Sequence, residues 1–243
     1  MLSRPSADFK RERTFVHCPP DLGYEDLIAE TTGSGSRAYT TPTGEKLPSI
    51  TTVLSILSEQ HIYEWRKRVG AEEANRVSRA ATTRGTALHA LVERYVKNEE
   101  VVLTGSEMPN VLQMFRAILP TINTRIGKVF LQEAPLYSLH LGVAGRTDLI
   151  AEFDGVPSII DVKTSSRVKK RDDVQSYFMQ EAAYAIMYEE RTGMPISRLV
   201  TLMAVEGSSE PLVFLEKRDD WTDQLHRTIH EYKTRRLFGH RSR

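Results

Sequence analysis

Hydrophobic residues along the chain follow two different spacings, and each spacing predicts a different kind of element. Between residues 51 and 98, and in three later segments, apolar side chains recur every three or four positions, as in amphipathic helices. The helices predicted in these regions are 53–57, 63–69, 71–81, 86–97, 109–126, 173–191 and 221–237. Short β-branched runs bounded by glycine or proline predict strands instead. These strands are 128–137, 143–153, 156–164, 199–205 and 212–215.

The order of these elements predicts a fold of the α/β (α+β) class, with a central sheet flanked by helices. Residues 1–36 are polar and rich in turn formers, so we expect an N-terminal arm that packs on the outside. Residues 37–243 are expected to form a single domain. Its first part, 37–127, would hold a hairpin and a helical region, and its second part, 128–243, the sheet and its flanking helices. Pro120 is expected to kink or break its helix.

Composition narrows the classes of protein that remain. Lysine and arginine together number 33 and aspartate and glutamate 32, so the net charge of +1 gives no global sign of a polyanionic partner. The single cysteine, Cys18, excludes an intramolecular disulfide framework and a cysteine-ligated iron–sulfur cluster, and it suits a reducing compartment. No apolar run approaches the roughly 20 residues of a membrane-spanning helix, so we expect no membrane partner.

Two acidic residues and a lysine are predicted to meet on adjacent strands. Asp161 and Lys163 are two positions apart on one strand, so their side chains point to the same face of the sheet. A hairpin turn at Asp154-Gly155 would bring Asp148 beside Asp161. Two carboxylates at that distance repel unless a divalent cation lies between them, and hard oxygen ligands favour Mg²⁺ or Mn²⁺ over Zn²⁺. A structural salt bridge between Lys163 and either aspartate remains the alternative.

The residues around these acids resemble a known family. The run Gly145-Arg146-Thr147-Asp148-Leu149 precedes Ile159-Ile160-Asp161-Val162-Lys163-Thr164, and Gln180 and Tyr184 follow on the next predicted helix. Upstream, Arg84-Gly85-Thr86-Ala87-Leu88-His89 matches a G-T-x-x-H pattern. Together these motifs resemble the PD-(D/E)XK nuclease superfamily, in particular its RecB-like branch and the mitochondrial genome maintenance exonucleases and their phage relatives. Thr147 stands where the family name has proline.

This resemblance implies a restriction-endonuclease-like fold, a central mixed β-sheet flanked by helices, in which an N-terminal helical region forms an arch or channel. It implies metal ligation by His89, Asp148, Asp161 and the backbone carbonyl of Val162. Lys163 would position and activate the attacking water, and Gln180 would orient that water, Lys163 or a phosphate. Glu93 and Glu133 would support the metal or the imidazole without being ligands themselves. The alternative is that both glutamates form ordinary ion pairs, Glu93 with Arg94 or Lys97.

A nucleic-acid strand would be bound by residues around this site. Hydroxyl groups and cations would contact phosphates, and an aromatic side chain would stack on bases. The residues expected in these roles are Ser49, Thr51, Trp65, Arg84, Thr86, Thr164, Ser165, Lys169, Lys170 and Tyr184. Helix capping by Ser49, core packing of Trp65 and a merely solvated loop after the second acidic strand are the alternatives.

The activity that the resemblance implies is a DNA exonuclease that uses one or two Mg²⁺ or Mn²⁺ ions and has no iron–sulfur cluster. It would hydrolyse phosphodiester bonds from single-stranded or frayed ends in replication, repair or recombination. A structure-dependent or restriction-type endonuclease and a catalytically inactive nucleic-acid-binding module are the alternatives. We expect a monomer that binds DNA and a replication or recombination protein. The expected compartment is the cytoplasm of a bacterial or phage-infected cell, with the mitochondrial matrix less favoured.

Overall fold

Eight strands and six helices make up the part of the chain that the computed structural model describes, which is residues 9, 12–33, 35–103 and 105–239. In chain order the elements are β1 (Ile28–Thr31), β2 (Arg37–Thr40), β3 (Lys46–Pro48), α1 (Ile50–Leu54), α2 (Glu59–Val69), α3 (Ala71–Val96), α4 (Pro109–Arg125), β4 (Ile126–Ser138), β5 (Val143–Phe153), β6 (Val156–Ser165), α5 (Gln175–Thr192), β7 (Arg198–Val205), β8 (Leu212–Lys217) and α6 (Arg218–Gly239). Short 3₁₀ turns follow α1 and precede α5.

The main sheet contains the last five strands in their chain order, β4-β5-β6-β7-β8. Strands β6 and β7 run parallel, and every other neighbouring pair is antiparallel, so the sheet is mixed as predicted. Alternate side chains enter two apolar clusters. Ile159 packs on the side of α5 and α6, whereas Ile160 packs on the side of α3 and α4. No described helix combines the length and the apolar character that crossing a bilayer would require.

The hairpin between β5 and β6 forms where the sequence predicts it. Asp154 and Gly155 both have positive φ angles, 51° and 76°, as a two-residue turn matched to the twist of the strands requires. The guanidinium of Arg125 binds both carboxylate oxygens of Asp154, with a shortest distance of 2.6 Å. The turn is therefore fixed to the end of α4, and it sets the register that places the acidic residues of both strands.

Two positions at which the sequence predicts an interruption lie inside continuous helices. The predicted helices 71–81 and 86–97 form one helix, α3, that runs through Gly85, because an interior glycine costs only about 1 kcal/mol and the following turns pack into the core. All residues from 75 to 83 are exposed, so this half of α3 has no core to pack on. Helix α4 also continues through Pro120. Pro120 cannot donate to the carbonyl oxygen of Arg116, but both residues are exposed, so water can satisfy that oxygen while the buried face of α4 packs in the core.

The described part of the N-terminal segment packs against the rest of the fold through the buried side chains of Phe9, Phe15 and Leu27, while most of its other described residues are exposed. Strand β1 pairs with β2 and completes a three-stranded antiparallel sheet. Phe15 is buried against Tyr95, and Val16 and Cys18 exchange backbone hydrogen bonds with Val129. Aromatic side chains in this segment bury enough apolar surface to hold it against the body. Residues 1–8, 10, 11 and 34 of the predicted arm lie outside the described residues.

Candidate metal centre

Strands β5 and β6 separate where the acidic residues lie. Among the described residues, their backbone pairing extends from the turn as far as Leu149 and Ile160. Beyond that pair, the Val162 N–H donates a hydrogen bond to Asp148 Oδ2 at 2.8 Å. The carboxylate takes the place of a backbone acceptor, which satisfies the buried donor and fixes the orientation of Asp148.

Three side chains from three elements converge beside this gap. His89 of α3, Glu133 of β4 and Asp148 of β5 each offer one ligand atom within 4.8 Å of the others. His89 Nδ1 lies 3.5 Å from Asp148 Oδ2, and all three residues are half-buried. We call these three residues the cleft cluster. Within the described ranges, no other group of three or more such side chains is close enough to share an ion.

Glu133 enters the cleft cluster through an unusual backbone conformation. It lies opposite Asp148 in the register of β4 and β5, and its φ is 47°. A non-glycine residue in this left-handed region costs about 1 to 3 kcal/mol, which the surrounding structure must offset. The guanidinium of Arg146 donates a hydrogen bond to the Glu133 carbonyl oxygen and so helps to hold this conformation.

The charges of the cleft cluster favour a bound cation. Burial raises the pKa of Glu133 to about 7, and the negative charges of Asp148 and Glu93 add to the shift. A cation between the carboxylates would remove that repulsion. Two carboxylates and one imidazole are donors that divalent cations accept, so the residues present fit such an ion.

A second acidic group lies deeper, on the α5 side of β6. Asp161 is only 1% exposed, and its carboxylate forms an ion pair with the ammonium of Lys163. Gln180 of α5 donates from Nε2 to Asp161 Oδ1 at 3.2 Å. The ring of Tyr177 lies 5.0 Å from the Lys163 ammonium. We call Asp161 and Lys163 the buried pair.

Desolvation and charge act in opposite directions on the two members of the buried pair. Burial raises the pKa of Asp161 above its ordinary value, although Lys163 opposes this shift and Asp148 adds to it. Burial alone would lower the pKa of Lys163, but the carboxylates of Asp161 and Asp148 outweigh burial and raise that pKa. Lys163 is therefore an ammonium that donates hydrogen bonds.

The structure thus brings the predicted catalytic residues together in two groups. His89 and Asp148 meet as expected, and Lys163 and Gln180 meet at Asp161. The Asp161 carboxylate is not part of the cleft cluster, because Lys163 and Gln180 engage it, yet the charge of Asp148 still acts on it. Glu133 was expected to support the metal or the imidazole without ligating the ion, but it is itself a member of the cluster.

Tyr184 is placed beneath β5 and not on the surface. It is 2% exposed, and its pKa is raised well above the ordinary value, first by burial. A methyl group at Gly145 would lie 2.8 Å from the Tyr184 ring and hydroxyl, so the glycine of the G-R-T-D run provides the space for this ring. Tyr184 follows Gln180 by about one turn of α5, so it packs beside the residue that contacts the buried pair.

The remaining predicted residues differ in their distance from the cleft cluster. Thr86 lines the same cleft, and Thr164 Oγ1 lies 3.8 Å from the position of a Gly85 methyl group. Arg84 pairs with Glu206 at 3.4 Å. Glu93 also lines the cleft, and it forms a 2.5 Å ion pair with Lys97, one of the partners expected for it.

Other predicted nucleic-acid contacts have structural roles or lie apart from the cleft cluster. Ser49 is buried and caps α1, accepting a hydrogen bond from the Thr52 N–H at 3.1 Å, while Thr51 is exposed beside it. Ser165 is buried, and its hydroxyl bonds both backbone groups of Arg167. Trp65 is half-buried on α2. Lys169 is half-buried and Lys170 exposed in the loop after β6.

Two arginines that the sequence did not single out line the same cleft as the cluster, Arg37 and Arg146. The cleft has a volume of about 560 Å³. Arg146 is two positions before Asp148 on β5, so the alternation of side chains along the strand could have placed both on one face. Arg37 comes from β2, more than 100 residues away in the chain, and nothing in the sequence indicates its position.

Comparison with known families agrees with this geometry. Residues 60–240 match the model of the PD-(D/E)XK nuclease superfamily, about three-quarters of the chain, and the protein belongs to that superfamily. The mixed five-stranded sheet flanked by helices is consistent with its restriction-endonuclease-like fold. The comparison with curated proteins gave no match. Membership indicates a nuclease that uses divalent metal ions, and the cleft cluster provides a site for one.

Proposed function

We propose that the protein is a Mg²⁺- or Mn²⁺-dependent exonuclease that hydrolyses DNA from single-stranded or frayed ends. The observation that carries this proposal is the cleft cluster, two carboxylates and an imidazole within 4.8 Å, beside the half-buried ammonium of Lys163. A divalent cation at such a site supplies a Lewis acid and lowers the pKa of water. His89, Glu133 and Asp148 would hold the cation, with Asp161 and the Val162 carbonyl as further ligands.

The protein residues have separate tasks in this proposal. Lys163, as an ammonium, donates hydrogen bonds to the attacking water and to charge that develops at phosphorus. Gln180 holds Asp161, and Asp161 holds Lys163, so the ammonium points in one direction. Thr86 and Thr164, which flank the cleft, would contact the sugar-phosphate chain.

Attack from DNA ends is the more specific part of the proposal. It is supported by the motif resemblance and by α2 and the exposed stretch 75–83 of α3, which carry Trp65 and several arginines outside the core. Phosphate contacts carry no base information, so cleavage would be independent of sequence. A role in replication, repair or recombination follows from this activity.

End-labelled linear DNA and closed circular DNA, each with Mg²⁺ or Mn²⁺, test the proposal. We expect the wild-type protein to degrade linear DNA and leave closed circles intact. Lys163→Met should remove the activity, and Lys217→Met, an equal charge change at an exposed lysine of β8, should retain it. Cleavage of closed circles would favour an endonuclease. DNA binding without hydrolysis in either metal would favour an inactive binding module.

A further inference from the structure

The cleft contains a cationic side formed by two strands that belong to different sheets. Arg146 of β5 and Arg37 of β2 both line it, together with His89 and Asp148. We propose that Arg37 and Arg146 bind a phosphate of the substrate strand adjacent to the one that is cleaved, and that Asp26 occupies this site until the strand displaces it. The inference rests on the proposed function, because the phosphate belongs to a strand held at the cleft cluster.

Arg146 is held in place but keeps capacity to bind an anion. One of its terminal nitrogens donates to the Glu133 carbonyl oxygen, which fixes the guanidinium beside the cleft cluster. The other terminal nitrogen binds Asp26 Oδ1 at 2.6 Å. The side chain is 33% exposed, so solvent and ligands reach it. A guanidinium presents paired donors that match two oxygens of a phosphate as well as those of a carboxylate.

Arg37 has a fixed backbone and an unengaged side chain. Its N–H donates to Thr52 Oγ1 at 3.0 Å, and its carbonyl oxygen accepts a hydrogen bond from the Ser49 N–H at 2.8 Å. These bonds tie the first residue of β2 to the start of α1. Among the described residues, the guanidinium has no hydrogen-bond or ion-pair partner. An unpaired cation at the edge of a cleft that already holds three acidic groups is available to a phosphate.

Asp26 competes weakly for this site. Its side chain is 62% exposed, and exposed ion pairs of this kind contribute little because water and salt screen them. A phosphate bound by two arginines makes more charge-assisted hydrogen bonds than the single contact with Asp26. The carboxylate therefore stands in for the phosphate in the free protein, and its displacement by the strand is favourable.

Steady-state hydrolysis of a dT oligonucleotide with Mn²⁺ tests the site in the full chain. We expect Arg37→Gln and Arg146→Gln each to raise KM about tenfold, and Arg37→Gln, which does not contact the cleft cluster, to leave kcat within about threefold. Each substitution should also reduce the slope of log KM against log salt by about 0.7, as expected for one lost phosphate contact on a single strand. Asp26→Asn should lower KM several-fold in the wild type and leave it unchanged in Arg146→Gln.

Matched controls come from the same three-stranded sheet. Lys46 and Glu30 form an exposed ion pair at 3.0 Å and do not line the cleft. Lys46→Gln and Glu30→Gln make the same charge changes, and we expect neither to alter KM beyond twofold. Arg146→Lys is a second variant for the case that Arg146→Gln disturbs Glu133, because it keeps the positive charge. We expect it to restore the wild-type slope of log KM against log salt. Equal KM values for the cleft and control variants, or an Asp26→Asn effect that persists in Arg146→Gln, would overturn the proposal.

Anisotropy of a fluorescein-labelled dT oligonucleotide in Ca²⁺ separates this proposal from the nuclease itself. Weaker binding by Arg37→Gln and Arg146→Gln, in a protein that hydrolyses nothing in any metal, would contradict the proposed activity and support the phosphate site. Unchanged binding and unchanged KM in a protein that does hydrolyse DNA would contradict the phosphate site alone.

Discussion

The cleft cluster and the buried pair contain similar residue types but differ in how their charges are compensated. Asp161, in the buried pair, has an ammonium and an amide donor as partners and is sealed from solvent. Glu133 and Asp148, in the cleft cluster, share one imidazole and one backbone N–H, and burial raises the pKa of Glu133 to about 7. Among the described residues, the Asp161 carboxylate has a lysine in contact, whereas the two carboxylates of the cleft cluster have no lysine or arginine in contact. Metal binding and proton donation can therefore be separated by mutation.

The largest expected effects come from substituting one residue in each group and comparing Mn²⁺ binding with hydrolysis. Asp148→Asn should abolish both Mn²⁺ binding and hydrolysis, because it removes a ligand of the cleft cluster. Lys163→Met should lower kcat by about 10³-fold, the upper range for loss of a single transition-state donor, and should leave Mn²⁺ bound. Calorimetric Mn²⁺ titration and single-turnover cleavage measure these effects, and thermal unfolding checks that both variants fold. If Lys163→Met loses Mn²⁺ as completely as Asp148→Asn, the two groups form one site.

A smaller effect is expected at Glu133. Glu133→Gln keeps the shape but removes one of two carboxylates, so Mn²⁺ affinity should fall about 10- to 100-fold and excess Mn²⁺ should restore part of the activity. Glu93→Gln is the control, since Glu93 already pairs with Lys97, and we expect a loss below threefold. Equal losses for both variants would contradict direct ligation by Glu133.

The buried pair depends on the packing of α5, which Gly145→Ala tests. The added methyl group would lie 2.8 Å from the ring and hydroxyl of buried Tyr184, and 3.2 Å from Ile50. We expect the free energy of unfolding to fall by about 2 kcal/mol, as for other overpacked cores, together with reduced activity. Gly33→Ala, where the methyl group meets nothing within 4 Å, should leave both unchanged in a urea titration. If Gly145→Ala changed neither the free energy of unfolding nor the activity, the buried pair would not depend on the packing of α5.

The smallest expected effect concerns a buried acid that lacks a lysine in contact. Thr201 donates to Glu181, and burial raises the pKa of Glu181 well above its ordinary value. As pH rises above about 4.3, the unfolded chain releases this proton while the folded chain retains it, so the free energy of unfolding falls until the folded pKa is reached. Glu181→Gln should therefore match the wild type near pH 4 and become the more stable protein towards pH 8. Parallel stability curves for the two proteins would contradict a retained proton.

Much of this arrangement could be predicted because it depends on local rules. The alternation of side chains placed Asp161 and Lys163 on one face, and the Asp154-Gly155 turn set the hairpin that carries Asp148. The antiparallel pairing of β4 with β5 and of β5 with β6 followed from their spacing, since consecutive strands pair readily when short turns join them. Those features require no knowledge of distant contacts.

The other features depend on tertiary contacts that no local pattern encodes. The left-handed backbone of Glu133 brings it into the cleft cluster, although glutamate has no preference for that conformation. The separation of Asp161 from the cluster follows from its burial and from Lys163 and Gln180. The unbroken α3 was missed because the sequence predicted one helix ending at residue 81 and another starting at residue 86, whereas packing of the later turns decided the outcome.

The continuity of α3 has a mechanical consequence. With a rise of about 1.5 Å per residue, roughly 9 to 21 Å of continuous helix separate the exposed stretch 75–83 from His89. A tilt imposed on the outer end of α3 is therefore transmitted to the imidazole of His89. Contacts made by the exposed half of the helix are thus coupled to the geometry of the cleft cluster.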